Sequence, residues 1–248
     1  MLQLQEVAVA NRLLPFTTQV AAGSLIHLVG PNGAGKSSLL SRLAGMLSGS
    51  GEVVFLGQPL PAWSGNALAR HRAWLPQQQP PAGLMAVWHY LQLHLVNGQG
   101  DHDNAVAGLL AALQLTDKLE RQLQQLSGGE WQRVRLAAVL FQCHPQLNHD
   151  ARLLLLDEPM TGLDIAQQAA VNQLIRQHRD AGITVIMSSH DLNHSLQQAE
   201  CVWLMHRGEV QLTGDPQQVL EPTILQPIYQ VTFRRVVLDD TLFLLSPR

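Results

Sequence analysis

Residues 30–37 read GPNGAGKS, directly after the apolar run Leu25–Val29. The run satisfies G-x-x-x-x-G-K-[ST] in full, with Gly30, Gly35, Lys36 and Ser37 in the required places. Small residues at these positions let backbone N–H groups turn inward around phosphate oxygens, and the helix that follows adds its positive end. The pattern therefore demands a strand, a tight loop and a helix in that order. Gly30, Pro31, Asn32, Gly33, Ala34, Gly35, Lys36, Ser37 and Ser38 are the candidate contacts. In this reading Lys36 reaches the terminal phosphates and the Ser37 hydroxyl ligates Mg²⁺. By itself the loop implies only a nucleoside triphosphate.

A second anion-binding sequence narrows this. Residues 126–130 read LSGGE, in which Ser127, Gly128 and Gly129 open an amphipathic helix expected over residues 130–141. Trp131, Val134, Ala138 and Phe141 fall on one face of that helix, with Arg133 and Arg135 elsewhere. Two such sites in one chain imply a nucleotide sandwiched between subunits.

The rest of the chain alternates strand-like and helix-like runs. Strands are expected at Leu2–Val9, 16–20, Leu25–Val29, 52–56, Leu153–Leu156 and 183–187, and a hairpin at 202–212. Helices are expected at 37–46 and 165–178, and a small helix and strand after Asp215. Such alternation indicates an α/β sheet with helices on its faces. From residue 78 to 125 the chain turns polar and helix-like after the Pro-rich link QQQPPAG, which reads as a helical insertion.

Composition bounds the function. At 248 residues the chain is near the upper size for one hydrophobic core. A net charge of −3 and only two lysines, Lys36 and Lys118, argue against a nucleic-acid partner. No stretch approaches the roughly 20 apolar residues that span a bilayer, and the first residues do not read as a signal peptide. Cys143 and Cys201 lack metal spacing, and a disulfide between them is not expected.

Several polar residues follow the apolar strands. Asp157 and Glu158 emerge after Leu153–Leu156, at the edge where open α/β sheets bind ligands. Asp157 is placed to hold Mg²⁺, and Glu158 to orient or deprotonate an attacking water. His190, in SSHD after the 183–187 strand, is placed to sense the γ-phosphate. The HDLNH spacing of His190 and His194 lacks the glutamate and third ligand of a zinc site. Gln77 closes WLPQ at the start of the insertion and can contact Mg²⁺ or the water. Asp164 reads both as a helix N-cap and as a residue facing a partner subunit.

Taken together, these residues resemble the nucleotide-binding subunits of ABC transporters over nearly the whole chain. The resemblance implies a P-loop NTPase core with an antiparallel β-subdomain and an inserted helical subdomain. The core is expected at residues 1–77 and 151–248, and the insertion with its signature sequence at 78–150. It also implies ATP and Mg²⁺ as cofactors and ATP hydrolysis as the activity, with catalytic roles for Glu158, His190, Gln77 and Lys36. Metal contacts fall to Ser37, Asp157 and Gln77. The implied partners are a second copy packed head to tail, two transmembrane permease subunits and, indirectly, a periplasmic substrate-binding protein. Location at the cytoplasmic face of a bacterial inner membrane follows.

Within the family, AWLPQQQPP, VWHYL, LSGGEWQRVRLAAVL, SSHDLNHSL and the long link before LLLLDEP resemble ATPases of vitamin B12 (cobalamin) importers. A ferric-siderophore or haem permease is the alternative cargo reading. A soluble ABC protein acting on ribosomes or DNA would carry two cassettes or a coiled-coil insertion, and a P-loop kinase has no use for LSGGE. One departure concerns the base: many members stack adenine on an aromatic residue after the first strand, whereas AVANRLLPF offers Arg12 or Leu13. The insertion is expected to receive a permease helix near residues 80–91, where Trp88 and Tyr90 are either contact or core.

Overall fold

Buried and exposed side chains alternate through the start of β1 (Leu2–Val9), as a strand with one covered face requires. In this computed structural model, which describes residues 1–81, 83–95 and 103–246, β1 lies at the centre of an antiparallel sheet. Its neighbours are β2 (Leu13–Val20) and β4 (Ser50–Phe55), and β5 (Gln58–Pro59) completes the order β2-β1-β4-β5. Between them run β3 (Leu25–Val29), buried at every residue, and α1 (Lys36–Leu43).

The chain then continues through α2 (Gly65–His71), β6 (Arg72–Leu75), α3 (Val87–Gln92) and α4 (Asp103–Ala112). The Pro-rich link includes Ala82 and the expected insertion includes residues 96–102, which lie outside the described residues. Next come α5 (Gly128–Gln142), β7 (Leu153–Leu156), α6 (Ile165–Asp180) and β8 (Thr184–Ser189). The last stretch comprises α7 (Leu192–Gln198), β9 (Cys201–His206), β10 (Glu209–Gly214), α8 (Pro216–Val219), α9 (Pro222–Tyr229), β11 (Arg234–Leu238) and β12 (Thr241–Leu245).

Two compact units emerge: Met1–Ala62 with Ile186–Arg248, and Trp63–Val185. In the first, strands follow the order β10-β9-β3-β8, with β3 and β9 parallel and Val29 opposite Leu204. The expected hairpin is β9–β10, paired from His206 and Glu209. Val29, Leu204, Leu225 and Leu244 join one buried cluster there, which ties the C-terminal segment to the strand leading into the phosphate loop.

In the second unit β6 and β7 run parallel, with Leu75 opposite Leu156. Every residue of β7 is buried, consistent with a strand covered on both faces. Cys143 is buried here, and Cys201, in the first unit, is likewise unpaired.

Two sequence expectations need correction. Helix α5 is not amphipathic: Trp131 through Phe141 are all buried, including Gln132, Arg133 and Arg135. The arginines tolerate this because carbonyls receive their N–H groups. Arg133 donates through Nη1 to the Leu113 carbonyl at 3.1 Å and to Gln114 Oε1 at 3.1 Å. The segment after Asp215 holds two helices and a hairpin, α8, α9 and β11–β12, rather than one helix and one strand.

Candidate functional site

In the first unit the chain leaves β3 at Gly30 and re-enters regular structure at Lys36. Gly30 has φ 152°, and a Cβ there would lie 2.1 Å from the Met205 carbonyl oxygen. Only glycine lets the loop pass so close to β9. At Gly35, φ 102°, a Cβ would stand 2.9 Å from the Arg12 carbonyl oxygen. The loop is thus pinned by backbone on two sides, and the N-terminus of α1 opens from it. Lys36 is buried, and its Nζ donates to the carbonyls of Gly30 at 2.7 Å and Pro31 at 3.0 Å. That places the ammonium within the loop that the sequence assigns to phosphate. Ser37 and Ser38 follow in the first turn of α1, both half-buried.

Of the two residues considered for the base, Leu13 is in the core and Arg12 is exposed. Arg12 is therefore the one whose side chain is open to a ligand. His190 follows β8 and is exposed, in a turn where the Asp191 N–H donates to Ser189 Oγ at 3.2 Å. Asp191 caps α7, its Oδ1 accepting from the His194 N–H at 2.9 Å. The His194 ring stacks on His27 of β3, centroids 5.3 Å apart.

In the second unit the parallel register of β6 and β7 does the assembling. With Leu75 level with Leu156, the next residues emerge side by side, and the Asp157 N–H donates to the Leu75 carbonyl at 2.9 Å. One residue further Gln77 Nε2 donates to Glu158 Oε1 at 2.9 Å. Two residues 81 apart in sequence are thereby brought into one hydrogen bond. Asp157 is buried, whereas Glu158 is half-buried, so the two carboxylates occupy different environments.

Glu158 also has φ 50°, in the left-handed region that a residue with a side chain seldom adopts. Such a conformation persists only where the surroundings fix it, and it accompanies functional sites. The fixing contacts include the Thr161 N–H, which donates to the Glu158 carbonyl at 3.2 Å.

Helix α5 braces the same loops. Gln132 Nε2 donates to the Pro159 carbonyl at 3.0 Å, and Arg135 donates to the Pro76 carbonyl and, at 2.9 Å, to Gln132 Oε1. Gln132 and Arg135 are site-supporting residues that the sequence reading missed. Their signal is the set of polar residues Gln132, Arg133 and Arg135 among the apolar residues between Trp131 and Phe141. At the N-terminus of α5, Ser127 and Glu130 form a reciprocal capping box: Ser127 Oγ accepts from the Glu130 N–H at 3.2 Å, and Glu130 Oε2 from the Ser127 N–H at 2.8 Å. The Ser127 N–H, chiefly, holds the Glu130 carboxyl below the usual range.

A Cβ on Gly129 would lie 2.9 Å from the Gly162 carbonyl oxygen, while one on Gly128 would meet nothing within 4 Å. Asp164 is indeed an N-cap, its Oδ1 accepting from the Gln167 N–H at 2.8 Å. Tyr90, half-buried, packs on Trp131 with ring centroids 5.2 Å apart. Among the described residues nearby, Leu84 and Leu93 are apolar side chains open to solvent.

A phosphate loop pinned by backbone, a capped glycine helix end and a paired Gln–Glu define a class: the chain belongs to the ABC transporter family, whose model matches residues 13–161. It has the fold and chemistry of that family's ATPases. The particular relatives are close. A protein named vitamin B12 import ATP-binding protein BtuD, from Escherichia coli O45:K1 (strain S88 / ExPEC), is 51% identical, covering 99% of this chain and 98% of the relative. The same name, identity and coverage apply to a protein of Escherichia coli O81 (strain ED1a).

Among solved structures, the ATP-binding subunit of an ABC transporter superposes with a TM-score of 0.80 at 22% identity, covering 93% of this chain and 98% of that one. An inward-facing putative metal-chelate type ABC transporter gives 0.77 at 20% identity, covering 100% and 97%. These structures establish the fold. Among the described residues, no helix is long and apolar enough to cross a membrane.

Proposed function

We propose that this chain hydrolyses ATP to drive vitamin B12 import through a separate membrane permease. The supporting observation is 51% identity over 99% of the chain to a protein named for that import.

Lys36 and the loop N–H groups neutralise the phosphates. The hard oxygen donors Ser37, Asp157 and the amide oxygen of Gln77 suit Mg²⁺, which would supply charge neutralisation to the β- and γ-phosphates. Glu158, oriented by Gln77, accepts a proton from the attacking water, and His190 contacts the γ-phosphate. Ser127, Gly128 and Gly129 of a second copy close the site, with Asp164 at the same interface. Gly128 supports this, since a helix would prefer alanine there and nothing in this chain forbids it. Two copies related head to tail form two sites.

Residues 78–150 serve as the helical insertion within a core made of 1–77 and 151–248. The exposed Leu84 and Leu93 suit contact with a permease helix. The chain works as a peripheral subunit at the cytoplasmic face of the inner membrane, with two permease subunits above it and a periplasmic binding protein delivering cargo to them. Cobalamin itself does not touch this chain.

Uptake of labelled cobalamin and of a ferric siderophore by cells lacking their own ATPase tests the reading. Cobalamin uptake restored by wild type and not by Lys36→Ala is the expected result. Siderophore uptake restored instead would transfer the ATPase to another permease.

A further inference from the structure

The C-terminal segment is fastened to the helix that follows His190. Asn193, in the first turn of α7, uses both ends of its amide on one residue of β12. Its Nδ2 donates to the Leu244 carbonyl at 3.0 Å, and its Oδ1 accepts from the Leu244 N–H at 2.7 Å. Leu244 is itself buried in the cluster that holds Val29 and Leu196, against which Tyr229 and Phe233 pack. On its other side α7 is held by β3: His27 Nδ1 lies 3.1 Å from Ser195 Oγ, and the His27 and His194 rings stack.

Apolar contacts alone let a short helix slide or rotate by a fraction of a turn. A two-point amide bond to a strand removes that freedom, because both distances must be kept at once. His190 lies immediately before the capped start of α7, so its backbone direction is set by where α7 sits.

We propose that Asn193 is a positioning residue for His190, and that the C-terminal hairpin β11–β12 is the element that holds it in register. The inference rests on His190 contacting the γ-phosphate. It places the tail's effect on the turnover step and leaves ATP binding to the phosphate loop. A tail displaced from Asn193 would leave a protein that binds ATP and turns it over slowly.

The test uses the purified full-length chain, with steady-state ATP hydrolysis, binding of a fluorescent ATP analogue and thermal melting read side by side. Four variants are compared: Asn193→Ala, Asn193→Asp, His190→Ala and the double variant Asn193→Ala/His190→Ala. Asn193→Asp keeps the acceptor for the Leu244 N–H and loses the donor, so it carries the test should the alanine variant fold poorly.

Expected are a kcat about tenfold lower in Asn193→Ala, an intermediate kcat in Asn193→Asp, and analogue affinity within about twofold of wild type. The double variant turns over no more slowly than His190→Ala alone, since both changes remove the same interaction. Losses that multiply in the double variant would overturn the inference, as would wild-type kcat in both Asn193 variants. Full turnover in His190→Ala would instead remove His190 from the site, and the inference with it. Slow His190→Ala beside unimpaired Asn193 variants strikes the inference alone.

Discussion

Gly128 and Gly129 are adjacent, yet the structure separates their duties. A methyl on Gly129 meets the Gly162 carbonyl oxygen, a backbone atom that cannot step aside cheaply, whereas a methyl on Gly128 meets nothing. Gly129→Ala is expected to cost about 1–3 kcal/mol of stability. Gly128→Ala is expected to be neutral or to gain up to about 1 kcal/mol, through helix propensity, while abolishing ATP hydrolysis that needs a second copy. Urea unfolding of the two variants beside ATPase assays checks the contrast; equal destabilisation would refute it. The candidate residues were legible singly, because a phosphate loop, an Asp-Glu after an apolar strand and an SSHD turn each have a pattern. The Gln77–Glu158 hydrogen bond was not legible. It depends on Leu75 pairing with Leu156, and β6 escaped notice because its four residues begin with an arginine and carry no turn signal of their own.

Whole elements were readable where burial is uniform, as in β3 and β7, or starts by alternating, as in β1. Helix α5 was placed but misjudged as amphipathic, since Arg133 and Arg135 lie off the apolar face yet are buried, with carbonyls accepting from their guanidinium groups. The tail was under-read although Pro216 and Pro222 both open helices, a position proline favours. Element α7 offers a pH test through its neighbour β3. Burial, and secondarily His194, pushes the His27 pKa down to about 3 from 6.5. The unfolded chain therefore takes up a proton below pH 6.5 that the folded chain refuses until about pH 3, so stability is full above 6.5 and falls as pH drops through that window. At pH 5 the loss from this one ring amounts to about 2 kcal/mol. His27→Gln, which keeps a polar partner for Ser195 and does not titrate, is expected to lose correspondingly less between pH 7.5 and pH 5 in urea melts. Parallel losses in both proteins would show that His27 is not the group responsible.

At the scale of the molecule, the proposed chemistry is incomplete in one chain, because it has the capped glycine end of α5 act on a nucleotide held by another copy. In that proposal ATP serves as the glue between copies, and hydrolysis releases them. A variant that binds ATP without consuming it should accumulate in the joined state. Glu158→Gln preserves the side-chain shape and an acceptor for Gln77 but has no basic carboxylate, so hydrolysis is expected to fall about 10²–10⁴-fold. The most direct test measures the solution mass of Glu158→Gln with and without Mg²⁺-ATP, alongside phosphate release. Twice the monomer mass only with ATP, together with near-absent release, is the predicted result. Wild-type phosphate release, or a mass indifferent to ATP, would contradict it.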